Sequence, residues 1–538
     1  MKIDLDKIVE EAWNGALGSW NNPNIPRAIT PKTSDDVNAL GEIGVLLGKE
    51  LAFMDLKDFQ TYVNLQGVGE AFKEDVDRGI KIVTKHEVGH RFCPYDVVTS
   101  IILKNGIKKV LEGKELPYDS ETAAGVILNL FTDMSINTRI ARSGDENIAW
   151  GYEQLSKDKT TSKVWGVYAR SMELAWGKKI LPEKTELSKE QAEAAEELAR
   201  IFEGNLLDRT RWKDNSRRYA EIVHRFLEEE RKDGNRMDNA AGNIPKVLDE
   251  KTSRALAKRL SEIGDNGLPT NPAGLREYKE ILAGFGQGDP VKASVQFYDK
   301  LSDSYNVSFA TQPFGRPRVN PFSPERWVPS MGAEKLDVSY SAQRDGRVLP
   351  GVNTYSWKTR KREVHGGLEE VTPDLDIFMD SSATMTNPLE EISLAVLSEF
   401  VIAKKAHRKG ASIRSTVFSG SGQYATVGPT RNLQEIFENA VVYYNGGTIF
   451  PINQMLSGRD PRHVIVITDS FLCNESETAS VITEFKKRNK QNGITIYAVH
   501  PVPSTDVYIE AGAEIISGTT TDIFRKVIGK PDEVYKNE

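Results

Sequence analysis

From residue 372 onward the chain alternates short, mostly apolar runs with amphipathic stretches, and this alternation constrains the fold more than any other feature. Residues 375–379, 413–418, 464–468 and 494–499 read as buried strands. Between them, residues 388–409, 432–440 and 475–490 repeat at helical spacing. Pro388 suits a first helical turn, and Gly410 and Gly493 stand where helices stop. Such alternation implies an α/β domain built on a mostly parallel, doubly wound sheet. Ligands of such sheets bind at the carboxyl ends of strands, near a topological switch point. Asp380 and Asp469 each directly follow an expected strand, so both are expected on that edge.

Asp380 opens the stretch DSSAT, in which Ser382 and Thr384 alternate and point their hydroxyls the same way. Hard oxygen donors with few protein charges suit Mg²⁺, with Mn²⁺ or Ca²⁺ as substitutes, and leave room for an incoming carboxylate. With GGT ending at Thr448 and HVIVITD ending at Asp469, the pattern resembles the metal-ion-dependent adhesion site of von Willebrand factor A domains. The resemblance covers residues 374–528. Its usual first motif is DxSxS; Thr384 replaces the last Ser and keeps the oxygen. The resemblance implies that Ser382, Thr384 and Thr448 bind metal directly, and Asp380 and Asp469 directly or through water. It implies docking of a protein partner through a carboxylate, since five oxygen ligands without an adjacent base supply no nucleophile.

A second metal signature, HEVGH, lies at residues 86–90, inside a stretch (75–92) with helical spacing that Pro94 ends. His86 and His90 are four apart, so their imidazoles share one helix face, and Glu87 projects beside them. The pattern resembles the zinc helix of zincin peptidases, which implies Glu87 as general base. A catalytic zinc needs a third protein ligand and an open position. The helix expected at 121–142 carries Asn129, Asp133 and Asn137 at four-residue intervals on one face. Asp133, the only carboxylate among them, is the expected third ligand, and Asn129 or Asn137 would orient the histidines.

The whole chain resembles predicted metallopeptidases that join a helical HExxH domain to a C-terminal von Willebrand A-like domain. That family carries an N…D…N helix after HExxH, matched by Asn129, Asp133 and Asn137. The resemblance implies a zinc-dependent hydrolase or, alternatively, a non-catalytic adaptor that couples client proteins to a MoxR-type AAA+ ATPase. In a third reading the zinc is only a structural staple.

Domains are expected at residues 1–230 (helical, zincin-like) and 336–538 (von Willebrand A-like, core 372–530). A linker and Pro/Gly-rich connection spans 231–335. Residues 336–358 are expected to form strands. GFGQG at 284–288 follows no strand–helix context, which argues against a nucleotide fingerprint. A net charge of −7 gives no basis for nucleic-acid binding, and no apolar stretch is long enough for a membrane span. Two cysteines in distant parts of the chain form no disulfide framework, and the first residues lack a signal peptide's apolar core, so a cytoplasmic protein is expected.

Overall fold

The computed structural model describes residues 5–48, 50–116, 118–157, 162–232, 248–265, 267–305, 311–313, 318–345, 348–362, 368–370, 374–458, 460–469, 472–490, 492–499 and 506–529. They divide into two compact units. One comprises Met1–Leu260 with Arg276–Asp289, the other Ser261–Leu275 with Pro290–Glu538.

The first unit is mostly helical. Its central helix, Ser120–Arg142, spans 23 residues and is apolar on almost every side, with Val126, Ile127, Leu130, Phe131, Met134 and Ile136 all buried. A helix enclosed by other helices must be of this kind. The HEVGH helix, Val76–Gly89, packs beside it and ends where His90 caps it. Aspartates start the helices that matter here. Asp75 accepts from the Arg78 amide at 3.0 Å, Asp96 from Thr99 at 2.7 Å and Asp119 from Thr122 at 2.9 Å. Each cap satisfies a donor that the first turn leaves open and contributes about 1 kcal/mol. Further along lie Lys189–Ile201, with a capping box between Ser188 and Gln191, and Arg209–Lys232. A small antiparallel hairpin, Ala52–Asp55 with Gln60–Val63, is extended by Ile29 alongside Tyr62.

Within the expected 231–335 linker and connection, residues 233–247, 266, 306–310 and 314–317 lie outside the described residues. The rest of the 231–335 connection contains helices Glu250–Ser261, Gly274–Gly284 and Pro290–Ser302. The last supplies Phe297, Tyr298 and Leu301 as an apolar face. The Tyr298 hydroxyl accepts from the Ser393 amide at 2.8 Å, and Asp299 pairs with Lys404 at 2.7 Å.

The second unit is built on a six-stranded sheet. In spatial order the strands are Glu514–Ser517, Gly493–Ala498, Arg462–Thr468, Asp374–Asp380, Ile413–Phe418 and Tyr424–Thr430. All neighbours are parallel except the last pair. Numbered along the chain, the order is 6-5-4-1-2-3, a doubly wound arrangement whose direction reverses between the first and fourth strands. The two edge strands had no signal in the sequence because they lack an apolar run, being largely exposed or half-buried. Two expectations are corrected. The helix expected from Pro388 begins at Leu394, because Ser393 accepts from the Val396 amide at 3.3 Å and residues 388–391 form turns. Residues 336–358 hold helix Val338–Asp345 before a single strand, Tyr355–Arg362, which pairs with Arg318–Arg326. Pro321 is accommodated in that pairing beside a register shift, where a ladder donor is not needed.

The central strand hides a charge. Asp376, 3% exposed, accepts from Arg414 Nε at 3.0 Å and forms an ion pair with Arg462 Nε at 2.5 Å, the two arginines coming from the flanking strands. Asp460 accepts from Arg462 Nη1 at 2.7 Å, so two carboxylates balance the two guanidinium groups. Among the described residues no helix is long and apolar enough to cross a membrane.

Candidate metal centres

In the first unit, His86, His90 and Asp133 converge on one point, with one donor atom from each lying within 4.8 Å of the others. Both imidazoles present Nε2 to the same carboxylate oxygen, Asp133 Oδ1, at 3.5 Å. That is longer than a hydrogen bond, and this oxygen is buried with no hydrogen-bond partner. Donors bound at 2.0–2.1 Å to a tetrahedral zinc stand roughly 3.4 Å apart. The spacing therefore fits a shared ion better than direct pairing. No fourth His, Cys, Asp or Glu joins the group among the described residues, which leaves a coordination position open.

Each ligand is held from behind. His86 Nδ1 lies 2.7 Å from Asn137 Oδ1, and His90 Nδ1 lies 3.2 Å from the Cys93 carbonyl oxygen. Asn129 Nδ2 donates to Asp133 Oδ2 at 3.1 Å, turning Oδ1 inward. Thus Asn129 positions the carboxylate and Asn137 a histidine. Glu87 is 5% exposed and takes no part in the ligand cluster. The Met54 backbone N–H of the hairpin donates to its carboxylate, while Oε2 is buried without a partner. Neither Met54 nor Tyr152, which contacts Asn137, carried any motif in the sequence.

The electrostatics are those of a crowded, buried cluster. Burial pushes Glu87 up to about 8, with Asp133 and Glu50 adding to the effect and His86 opposing it. Burial lowers His86, but the Asp133 carboxylate, Glu87 and Asn137 outweigh it and carry the imidazole up to about 9. Burial and the neighbouring His86 hold His90 down to about 4. Cys93 is buried, and its thiol is pushed up to about 12, chiefly by burial. It behaves as a packed side chain whose carbonyl does the work.

In the second unit, Asp380 ends the first strand and Asp469 follows the fourth, on either side of the switch point. Thr384 Oγ1 lies 3.2 Å from Ser382 Oγ and 3.1 Å from Asp469 Oδ1. Both are hydrogen bonds, the Thr384 hydroxyl donating to Asp469, so the row gathers oxygen donors on one another. Asp380 accepts from the Ser382 amide at 2.8 Å and from Thr468 Oγ1 at 2.6 Å. Burial raises its carboxyl to about 6, against those bonds and with help from Asp469. Thr448 is buried on a neighbouring loop, which Gly446 joins to Ser382 by a parallel bridge. The Thr448 carbonyl accepts from the Cys473 amide at 2.8 Å. Thr468 was not singled out in the sequence, because its position inside a strand end looked structural.

Of the expected ligands, His86, His90 and Asp133 meet in the first unit; in the second, Ser382, Thr384 and Asp469 form a hydrogen-bonded row that Asp380 joins through the Ser382 amide, and Thr448 lies on the loop bridged to Ser382. Comparisons with family models, curated proteins and solved structures return no match, so the functional reading rests on the geometry of these two centres.

Proposed function

We propose that this chain is a cytoplasmic zinc-dependent metallopeptidase whose second unit, a von Willebrand A-like domain, docks a protein partner through Mg²⁺. The observation that carries the reading is the convergence of His86, His90 and Asp133 beside a buried Glu87 oxygen that has no partner. Zinc held by these three would supply Lewis acidity, lowering the pKa of water and polarising a peptide carbonyl. The charge of a bound cation would favour the ionised form of Glu87, which would take a proton from the attacking water and return it to the leaving amine. Asn129 and Asn137 keep the ligands aimed. In the second unit, Ser382, Thr384 and Thr448 would hold the cation with support from Asp380 and Asp469, leaving room for an acidic side chain of a partner.

Replacement of Glu87 by Gln tests the chemistry. It should leave zinc bound and reduce peptide hydrolysis by a factor of a hundred or more, in line with loss of a general base of about 10²–10⁴-fold worth. Equal proteolysis by Glu87→Gln would remove that residue from the reaction.

The adaptor reading draws on the row Ser382–Thr384–Asp469, which fits docking and carries no nucleophile. A MoxR-type AAA+ ATPase is the partner it implies. Mg²⁺-dependent capture of such an ATPase by wild type, lost on Asp380→Ala, supports it. Capture unchanged by the substitution contradicts it.

A further inference from the structure

We propose that Arg91 and Arg209 form a subsite beside the first centre for a carboxylate of the peptide substrate, carried by an acidic side chain or by the chain end. The proposal rests on reading that centre as a peptidase site and adds the chemistry of its substrate.

Three segments of the first unit build the subsite. Arg91 directly follows His90, and the chain then passes the Cys93 carbonyl that holds His90 and reaches Tyr95. Phe59 lies in the turn of the hairpin whose Met54 amide holds Glu87. Arg209 opens the helix Arg209–Lys232. Together they lay two guanidinium groups over two rings. Arg91 Cζ stands 4.2 Å from the centre of the Phe59 ring and 5.6 Å from that of Tyr95, and Arg209 Cζ stands 3.4 Å from the Tyr95 centre. Sharing one ring, the two positive charges are neighbours, and Tyr95 itself packs against the apolar core.

Neighbouring like charges repel, and an acid placed between them would relieve the repulsion. Among the described residues neither guanidinium has an ion pair or a hydrogen bond, although Arg91 is half-buried. The nearest acids along the chain are engaged elsewhere. Asp58 accepts from the Gln60 amide at 3.0 Å and Asp208 from the Thr210 amide at 3.1 Å. Asp96 accepts from the Thr99 amide at 2.7 Å and from Arg259 Nη2 at 3.1 Å. A ring over the face of a guanidinium leaves its in-plane N–H donors unused. The rings therefore hold two donor forks in place, and such a fork binds a carboxylate through two parallel hydrogen bonds. Ordering the side chains before the ligand arrives lowers the cost of binding. Pinning the hairpin turn would account for Arg91 on Phe59. It does not account for Arg209, which is exposed and brings a second charge to the same ring.

The test uses the immobilised full chain carrying Glu87→Gln, so that binding is read without turnover. It is incubated with an equimolar pool of synthetic peptides with varied flanking residues. Members are matched in pairs, Glu against Gln at one interior position, and a free against an amidated C-terminus. Retained peptides are quantified by mass spectrometry, with Arg91→Gln and Arg209→Gln added singly and thermal melts checking each fold. Peptides with the carboxylate should be retained roughly tenfold or more over their neutral partners, the worth of one charge-assisted hydrogen bond. The pair that shows the preference tells a side-chain carboxylate from a terminal one. Each arginine substitution should remove most of that preference and leave retention of the neutral peptides unchanged, which a merely structural role would not do. Equal retention of acidic and neutral peptides, or a preference that survives either substitution, overturns the proposal. The zinc-loaded wild type is given the same pool. Cleavage without a preference for the carboxylate also overturns the proposal and leaves the peptidase reading standing. A preference in binding with no cleavage overturns the peptidase reading instead and supports the subsite as one for peptide binding.

Discussion

Gly89 of the HEVGH helix lies so close to Ile136 of the central helix that an added Cβ would stand 2.5 Å from Ile136 Cγ2, and 2.8 Å from Trp20 Cζ2. Only a residue without a side chain lets the two helices approach so far. That approach sets His86 and His90 against Asp133. Gly89→Ala should cost about 1–3 kcal/mol, as overpacking does, and weaken metal binding by moving His90. A double change with Ile136→Ala should be less costly than the sum of the two, because the pair is in contact. Melting curves and zinc titration of the three variants check this; strict additivity argues against the clash.

Asp376 is the hub of the buried charge cluster in the second unit. Asp376→Asn would leave Arg414, nearly inaccessible, without a carboxylate and Arg462 with Asp460 alone. A loss of about 3–5 kcal/mol is expected for breaking such a cluster from one side. Chemical denaturation measures it, and a change below about 1 kcal/mol would place the cluster among weakly contributing ion pairs.

Glu399 makes stability depend on pH. It is fully buried, neither carboxyl oxygen has an ordinary hydrogen-bond partner, and burial pushes it up to about 8, with the Ser415 hydroxyl pulling the other way. The unfolded chain loses this proton near 4.5 and the folded chain near 8, so between these values the folded state binds the extra proton. Its contribution to stability is therefore full below about 4.5 and falls as the pH rises toward 8, with a slope of order 1.4 kcal/mol per unit at most. Glu399→Gln should flatten that slope in denaturant titrations and be more stable than wild type at pH 8. An unchanged slope would mean that Glu399 is not the group responsible.

The second centre should respond to its supports as well as to its ligands. Thr468→Val removes the donor to Asp380 Oδ2 and should weaken Mg²⁺ binding about tenfold, while Asp380→Ala abolishes it. The Mg²⁺-induced rise in melting temperature reports both. An equal rise in wild type and Asp380→Ala would place the ion elsewhere.

What could be read from the sequence was whatever repeats at fixed spacing. His86 and His90 declare themselves by a four-residue step, and Asp133 by standing between Asn129 and Asn137 at the same step. Asp380 and Asp469 were visible because they follow apolar strands. The helix start at Ser393 was missed because Pro388 is the more familiar signal, although the hydroxyl cap decides the start. The edge strand Tyr424–Thr430 was missed because half-exposed residues leave no apolar run. Tyr152 and Met54 were hidden for another reason. Each reaches the first centre from a separate element, and only tertiary packing brings them there. Asp376 carried no signal either, because its two arginines come from neighbouring strands.

The most direct test of the central claim is the zinc content and zinc affinity of the full chain, wild type against Asp133→Ala. The geometry predicts roughly one tightly held zinc per wild-type chain with three protein ligands, and loss of most of that affinity in the variant, with Mg²⁺ binding at the second centre unchanged. A wild-type chain that binds no zinc, or a variant that binds it equally well, would contradict the account.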